Sequence, residues 1–161
     1  MRHGEAMSAA EWRKPDADRP LTKMGVAKLE AGLQEMKRVG FAVPTVVTSP
    51  YARALETARL VSRHLALAEP ISRNELISGA HHKALFKVVS ELALKSPVLM
   101  VGHMPEIAIF GTRITNTPRI MDQGLQPADI LAIEVSSSDL NWEGGKLLWW
   151  RKIEEWKTIT S

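Results

Sequence analysis

Two four-residue runs, Thr45-Val46-Val47-Thr48 and Val98-Leu99-Met100-Val101, constrain the fold of this chain more than any other feature. Each is too short for a helix, lacks a polar face and is closed by turn-forming residues. Such runs read as strands buried on both sides, as in parallel sheets covered by helices. The segments around them carry the 3.6-residue period of amphipathic helices. Strands alternating with helices specify an α/β protein: a three-layer α/β/α sandwich with a mostly parallel sheet.

The helices can be placed from their caps and apolar faces. Thr22 reads as an N-cap, followed by Val26, Leu29, Leu33 and Met36 on one face and Gly40 as the stop. Ser49 and Pro50 read as the N-cap and first residue of a second helix reaching about Leu65, with Ala54, Ala58, Val61 and Leu65 inward. Leu85, Val88, Val89 and Leu92 mark a third helix. Pro105 opens a fourth, broken at Gly111 or at Asn116-Thr117-Pro118. Ile130–Val135 and Lys146–Arg151 read as strands joined through an Asn141–Gly145 turn. Of Trp149 and Trp150, alternation along a strand puts one ring inward and one toward solvent.

Composition removes several classes. The 161 residues fit one domain, 1–161, and a chain of this size buries roughly 70% of its unfolded surface without staples. There is no cysteine, so disulfides and thiolate metal sites are excluded. The net charge of +3 is spread without basic blocks or interleaved aromatics, which argues against nucleic acid. No apolar run is long enough to cross a bilayer. With no apolar leader after His3, the expectation is a cytoplasmic chain that binds no membrane.

In open α/β sheets ligands gather beyond the carboxyl ends of the strands. Those ends are Thr48-Ser49-Pro50-Tyr51-Ala52-Arg53 and Val101-Gly102-His103. The opening Arg2-His3-Gly4-Glu5 reads as a third strand-end loop, with Met1 as the last apolar residue of its strand. The body of that strand is expected upstream of Met1, so the chain as written is expected to lack its first strand. Losing a central strand is large against a total stability of about 5–15 kcal/mol, so weak folding or weak phosphate binding is the corresponding expectation.

Together with Arg19-Pro20-Leu21-Thr22-Lys23-Met24-Gly25, these segments resemble, in order and spacing, the histidine phosphatase (phosphoglycerate mutase-like) superfamily. The short length and the PLT-x-x-G segment resemble its SixA-type phosphohistidine phosphatases. The similarity covers nearly the whole chain and fades beyond about Ile114. It implies that His3 takes the phosphoryl group, that Arg2 and Arg53 clamp the phosphate oxygens, and that His103 donates a further hydrogen bond. It also implies a general-acid role for Glu75, the carboxylate after the second helix, and a loop-shaping role for Glu5.

The chemistry is coherent with those residue types. Phosphoryl transfer needs an in-line nucleophile and neutralisation of the equatorial oxygens. A neutral imidazole can hold a phosphoryl group, and guanidinium forks match phosphate geometry. Gly4 reads as a place where the backbone nears the phosphate. No metal or other cofactor is called for, and adjacent His81 and His82 rarely aim at one ion. The implied substrate is phosphohistidine on a signalling protein, a histidine phosphotransfer domain. The alternatives are a small phosphomonoester, or binding without turnover by an inactive phosphate module. Oligomeric state is not encoded in any legible pattern.

Overall fold

The computed structural model describes residues 1–92, 97–135 and 142–158. Five helices, α1 (Lys23–Arg38), α2 (Ala52–Leu65), α3 (His82–Leu92), α4 (Glu106–Thr115) and α5 (Arg119–Gln123), alternate with five strands. The strands are β1 (Thr45–Thr48), β2 (Ile71–Ser72), β3 (Val98–Val101), β4 (Ile130–Val135) and β5 (Gly145–Arg151). β1 lies between β2 and β3, parallel to both, with Thr45 opposite Val98 and Thr48 opposite Val101. β4 and β5 form an antiparallel pair.

Both faces of β1 are buried because successive side chains point to opposite sides. Val46 joins the core under α1 and α2, whereas Val47 packs with Leu76, Val88 and Leu92 on the other face. The resulting architecture is the layered α/β arrangement implied by the apolar runs. Leu29, Leu33 and Met36 of α1 are fully buried, each worth about 1.5–3 kcal/mol of transfer from water. A C-terminal 3₁₀ turn, Ile153–Thr158, closes this side with Ile153 and Trp156. Leu85, Ile107, Phe110, Ile114 and Ile120 form the core of the opposite layer.

Thr22 caps α1 as expected: its hydroxyl accepts from Gly25 N at 2.8 Å. The start of α2 differs. The helix begins at Ala52, and Tyr51 is still extended, with ψ of 136°. Ser49 is not the cap residue; its Oγ accepts from Tyr51 N at 3.2 Å and meets His103 Nε2 at 2.9 Å, and Pro50 belongs to the connecting turn. α4 runs unbroken past Gly111 to Thr115 and stops at Asn116, whose φ is +49°. Trp149 and Trp150 are both half-buried rather than one in and one out, because their rings pack against different core clusters. Trp149 packs on Phe41 and Trp156, and Trp150 donates to Asp129. β2, two exposed residues long, has no sequence signal. Asn141 lies outside the described residues; the turn resumes at Trp142.

The first three residues sit between the two sheets. Gly102 N donates to Met1 O at 3.1 Å and His3 N to Gly102 O at 3.0 Å. On the other side Arg2 N donates to Asp129 O, and Ala128 N to His3 O, both at 3.0 Å. The opening therefore lies at the carboxyl end of the parallel strands.

Candidate active site

Three strand-end segments and one loop meet in a cavity of about 290 Å³ lined by Arg2, His3, Asp16, Arg19, Arg53 and His103, among others. The segments converge because β1, β3 and the opening run in the same direction, so their ends lie side by side. Gly4 fixes the next step of the chain: a Cβ there would lie 2.4 Å from Leu29 Cδ1. The missing Cβ lets the loop pack closely on α1. Gly4 N donates to Thr57 Oγ1 at 2.9 Å, tying the loop to α2.

His3 is buried, 7% exposed, and its Nδ1 lies 2.7 Å from Gly4 O. A carbonyl only accepts, so Nδ1 carries the proton and Nε2 presents its lone pair. Arg53 Nε donates to that Nε2 at 3.2 Å. Burial, reinforced by Arg53, Arg2 and Arg19, lowers the His3 pKa to about 4, and the bond to Gly4 only partly opposes this. The ring is neutral near pH 7.

Arg53 is 3% exposed, and a buried guanidinium requires partners. Asp16 supplies them: its main-chain oxygen accepts from Nη1 at 2.9 Å and its Oδ2 from Nη2 at 3.0 Å. Oδ1 of Asp16 accepts from Arg19 Nε at 2.7 Å. Burial raises the Asp16 pKa, but Arg19 and Arg53 outweigh it, so the carboxyl stays below its ordinary range. Arg2 is held by Leu125 O at 2.6 Å through Nη1. His103 stands with its ring centroid 5.2 Å from that of His3, and its Nε2 shares a 2.9 Å hydrogen bond with Ser49 Oγ. Burial, with His3 and Arg53 nearby, lowers its pKa to about 3.

Arg2, His3, Arg53 and His103 are thus brought together. Glu75 is not: it lies outside the cavity lining, bound by Arg73 through Nε at 3.2 Å and Nη2 at 2.9 Å. Those bonds hold its pKa at about 2, so at neutral pH it has no proton to give. Glu5 shapes the loop, accepting from Thr22 Oγ1 at 3.1 Å and Lys28 Nζ at 2.9 Å. His81 and His82 stack with ring centroids 4.0 Å apart, and His82 Nε2 meets Arg113 Nη1. Two further members, Asp16 and Arg19, stand in the polar stretch before α1. The Arg19-Pro20-Leu21-Thr22 segment was the available signal for Arg19; nothing local singled out Asp16 from Asp18.

A neutral imidazole whose unprotonated Nε2 faces the cavity cations, ringed by three guanidinium groups, is suited to take a tetrahedral oxyanion in line with Nε2. Residues 1–79 match the model of the histidine phosphatase superfamily (branch 1). The fold of the chain is similar to that of the protein histidine phosphatase SixA complexed with tungstate: TM-score 0.80, 22% identity, 96% of each chain covered. It is similar also to the putative phosphohistidine phosphatase SixA of Agrobacterium tumefaciens (TM-score 0.79, 17% identity, 94% of each chain). A mycobacterial glucosyl-3-phosphoglycerate phosphatase shares the fold at a TM-score of 0.68 and 16% identity, over 91% of this chain and 94% of that one. An uncharacterized protein of Picosynechococcus sp. (strain ATCC 27264 / PCC 7002 / PR-6) is 30% identical over 112 residues, 66% of this chain. The match spans 65% of that relative's length.

Proposed function

We propose that this protein is a phosphatase that works through a covalent phosphohistidine at His3 and removes phosphate from phosphohistidine of a signalling protein. The observation that carries this reading is the unprotonated Nε2 of neutral His3, aligned by Gly4 O, met by Arg53 Nε and ringed by Arg2, Arg19 and Arg53. Nε2 attacks phosphorus, the P–N bond to a substrate imidazole protonated on its other ring nitrogen breaks so that the imidazole leaves neutral, and the three guanidinium groups take the charge of the equatorial oxygens. His103 offers a further hydrogen bond to the transferring group. Water then attacks the phosphorylated His3, releasing phosphate and restoring the imidazole.

The carboxylates of the cavity favour a phosphohistidine substrate over an alkyl phosphate. Glu5 and Asp16 line the cavity, and both are held below their ordinary pKa by cationic or hydroxyl partners. Glu75 is tied to Arg73. An alkoxide needs a strong proton donor to leave, whereas a protonated imidazole has a pKa near neutrality and leaves with far less help. Fold likeness to proteins described as SixA phosphohistidine phosphatases adds support. No metal enters the proposed steps, and the partner is a phosphorylated histidine phosphotransfer domain.

The test is acid-quench phosphate release from a phosphohistidine protein and from p-nitrophenyl phosphate, with His3→Ala as the control. Turnover of the phosphoprotein, lost in His3→Ala together with the acid-labile phosphoenzyme, is the expected result. Turnover that survives the substitution overturns the mechanism. Turnover of p-nitrophenyl phosphate alone moves the substrate to small phosphomonoesters.

A further inference from the structure

Ser49 is fully buried, and the sheet fixes its place. Its amide donates to Val101 O at 3.0 Å, carrying the β1–β3 pairing one residue beyond Thr48. Its carbonyl accepts from Thr48 Oγ1 at 3.1 Å, and its Oγ accepts from Tyr51 N at 3.2 Å. The same register sets this hydroxyl beside the ring of His103, with Oγ 2.9 Å from Nε2.

A hydrogen bond between a hydroxyl and a neutral imidazole can run either way, and burial decides its direction here. A serine hydroxyl has one proton and two lone pairs. Tyr51 N takes one lone pair, and among the described residues the acceptor that the proton meets is Nε2 of His103. If Nε2 carried the ring proton, the Ser49 proton would be buried with nothing to accept it, which is costly. Ser49 therefore donates and Nε2 accepts. His103 is neutral, since burial with His3 and Arg53 nearby lowers its pKa to about 3. The one proton of the ring then sits on Nδ1, because the bond made by one ring nitrogen sets the state of the other.

Nδ1 is buried and meets no partner among the described residues. It belongs to a ring that lines the active-site cavity, 5.2 Å from the ring of His3 between centroids. Tyr51 packs against that ring with centroids 5.1 Å apart and holds its plane. We propose that Ser49 is a positioning residue: it keeps His103 as the Nδ1–H tautomer, so that an N–H rather than a lone pair serves the oxygens of the transferring group. A lone pair there would repel the charge that a donor stabilises. The consequence at phosphorus rests on the proposed reaction, whereas the tautomer does not.

The test compares the wild-type chain with Ser49→Ala, which removes the donor, and Ser49→Thr, which keeps a hydroxyl. Proton–nitrogen correlation spectra of the isotope-labelled proteins show which ring nitrogen of His103 is protonated, and His103→Gln identifies its signals. The wild type is expected to carry the proton on Nδ1, Ser49→Ala to move much of it to Nε2, and Ser49→Thr to return it. On a phosphohistidine protein, Ser49→Ala should lower kcat by ~10-fold or more, with KM changed by less than about threefold. Deleting an oxyanion donor outright costs ~10²–10³-fold, and the loss stays short of that because part of the population keeps Nδ1–H. Ser49→Thr should recover kcat. A wild-type ring protonated on Nε2, or a Ser49→Ala ring still protonated on Nδ1, overturns the proposal. So does a change of tautomer that leaves kcat intact. Failure of the proposed reaction is read separately, by turnover that survives His3→Ala, and the spectra decide the tautomer in either case.

Discussion

Arg53 Nε donates to Nε2 of His3 across 3.2 Å, so the proposed phosphate clamp and the proposed nucleophile touch one another. The same guanidinium is fixed from its far side by Asp16. Its Nε therefore faces the lone pair that would attack phosphorus, while both Nη groups are held by Asp16. Arg53→Lys keeps the charge but loses the fork and the anchoring by Asp16. It is expected to lower kcat/KM by ~10²-fold or more, as loss of a preorganised oxyanion donor does, with the fold retained by circular dichroism. A loss under threefold would show that charge alone is what the site uses.

The pH dependence follows from the depressed pKa of His3. Its folded value of about 4 lies below the ordinary 6.5, so Nε2 stays unprotonated well into the acid range. Short assays are expected to show activity persisting below pH 6, with the acid limb approaching the folded value rather than 6.5. Stability moves the other way: below about pH 6.5 the unfolded chain takes up protons at His3 and His103 that the folded chain excludes. Denaturant midpoints should therefore fall steadily between pH 6.5 and 4. An acid limb centred at 6.5 would contradict the burial of His3.

Asp16 occupies donors of Arg53 and Arg19 that an arriving oxyanion would claim. Asp16→Asn removes the competing charge while retaining an acceptor oxygen. Inorganic phosphate is expected to inhibit this variant at several-fold lower concentration, since like-charge repulsion disfavours the anion. Weaker inhibition would instead make Asp16 chiefly a brace for Arg53.

Glu75→Gln tests the carboxylate that the family resemblance assigned as the acid. Because Arg73 holds it ionised outside the cavity, the change is expected to alter kcat on a phosphohistidine protein by less than threefold. The stability cost should stay within ~1 kcal/mol, the range for solvent-accessible ion pairs. A kcat loss of tenfold or more would restore Glu75 to the reaction.

Gly25 lets α1 approach the opening loop, since a Cβ would lie 2.3 Å from Glu5 O. Gly25→Ala must push the loop away, and overpacking of this kind costs about 1–3 kcal/mol. Thermal melting should show a clear drop together with reduced activity, because Glu5 is two residues from His3. An unchanged melting temperature would mean that the loop yields freely.

The sequence by itself determined the layering, because periodicity is written locally. Four-residue apolar runs admit only buried strands, and Leu29, Leu33 and Met36 admit only one inward face of α1. It also determined which residues stand at strand ends, and so brought His3, Arg53 and His103 into view. Only the tertiary structure decided how they are used, since those partners are 50 or more residues apart and are set by how helices seat on the sheet. Ser49 had the local marks of a helix cap and became the partner of His103. Asp16, indistinguishable in sequence from Asp18, became the counter-ion of Arg53. Glu75 found Arg73 two residues away and lies outside the cavity lining.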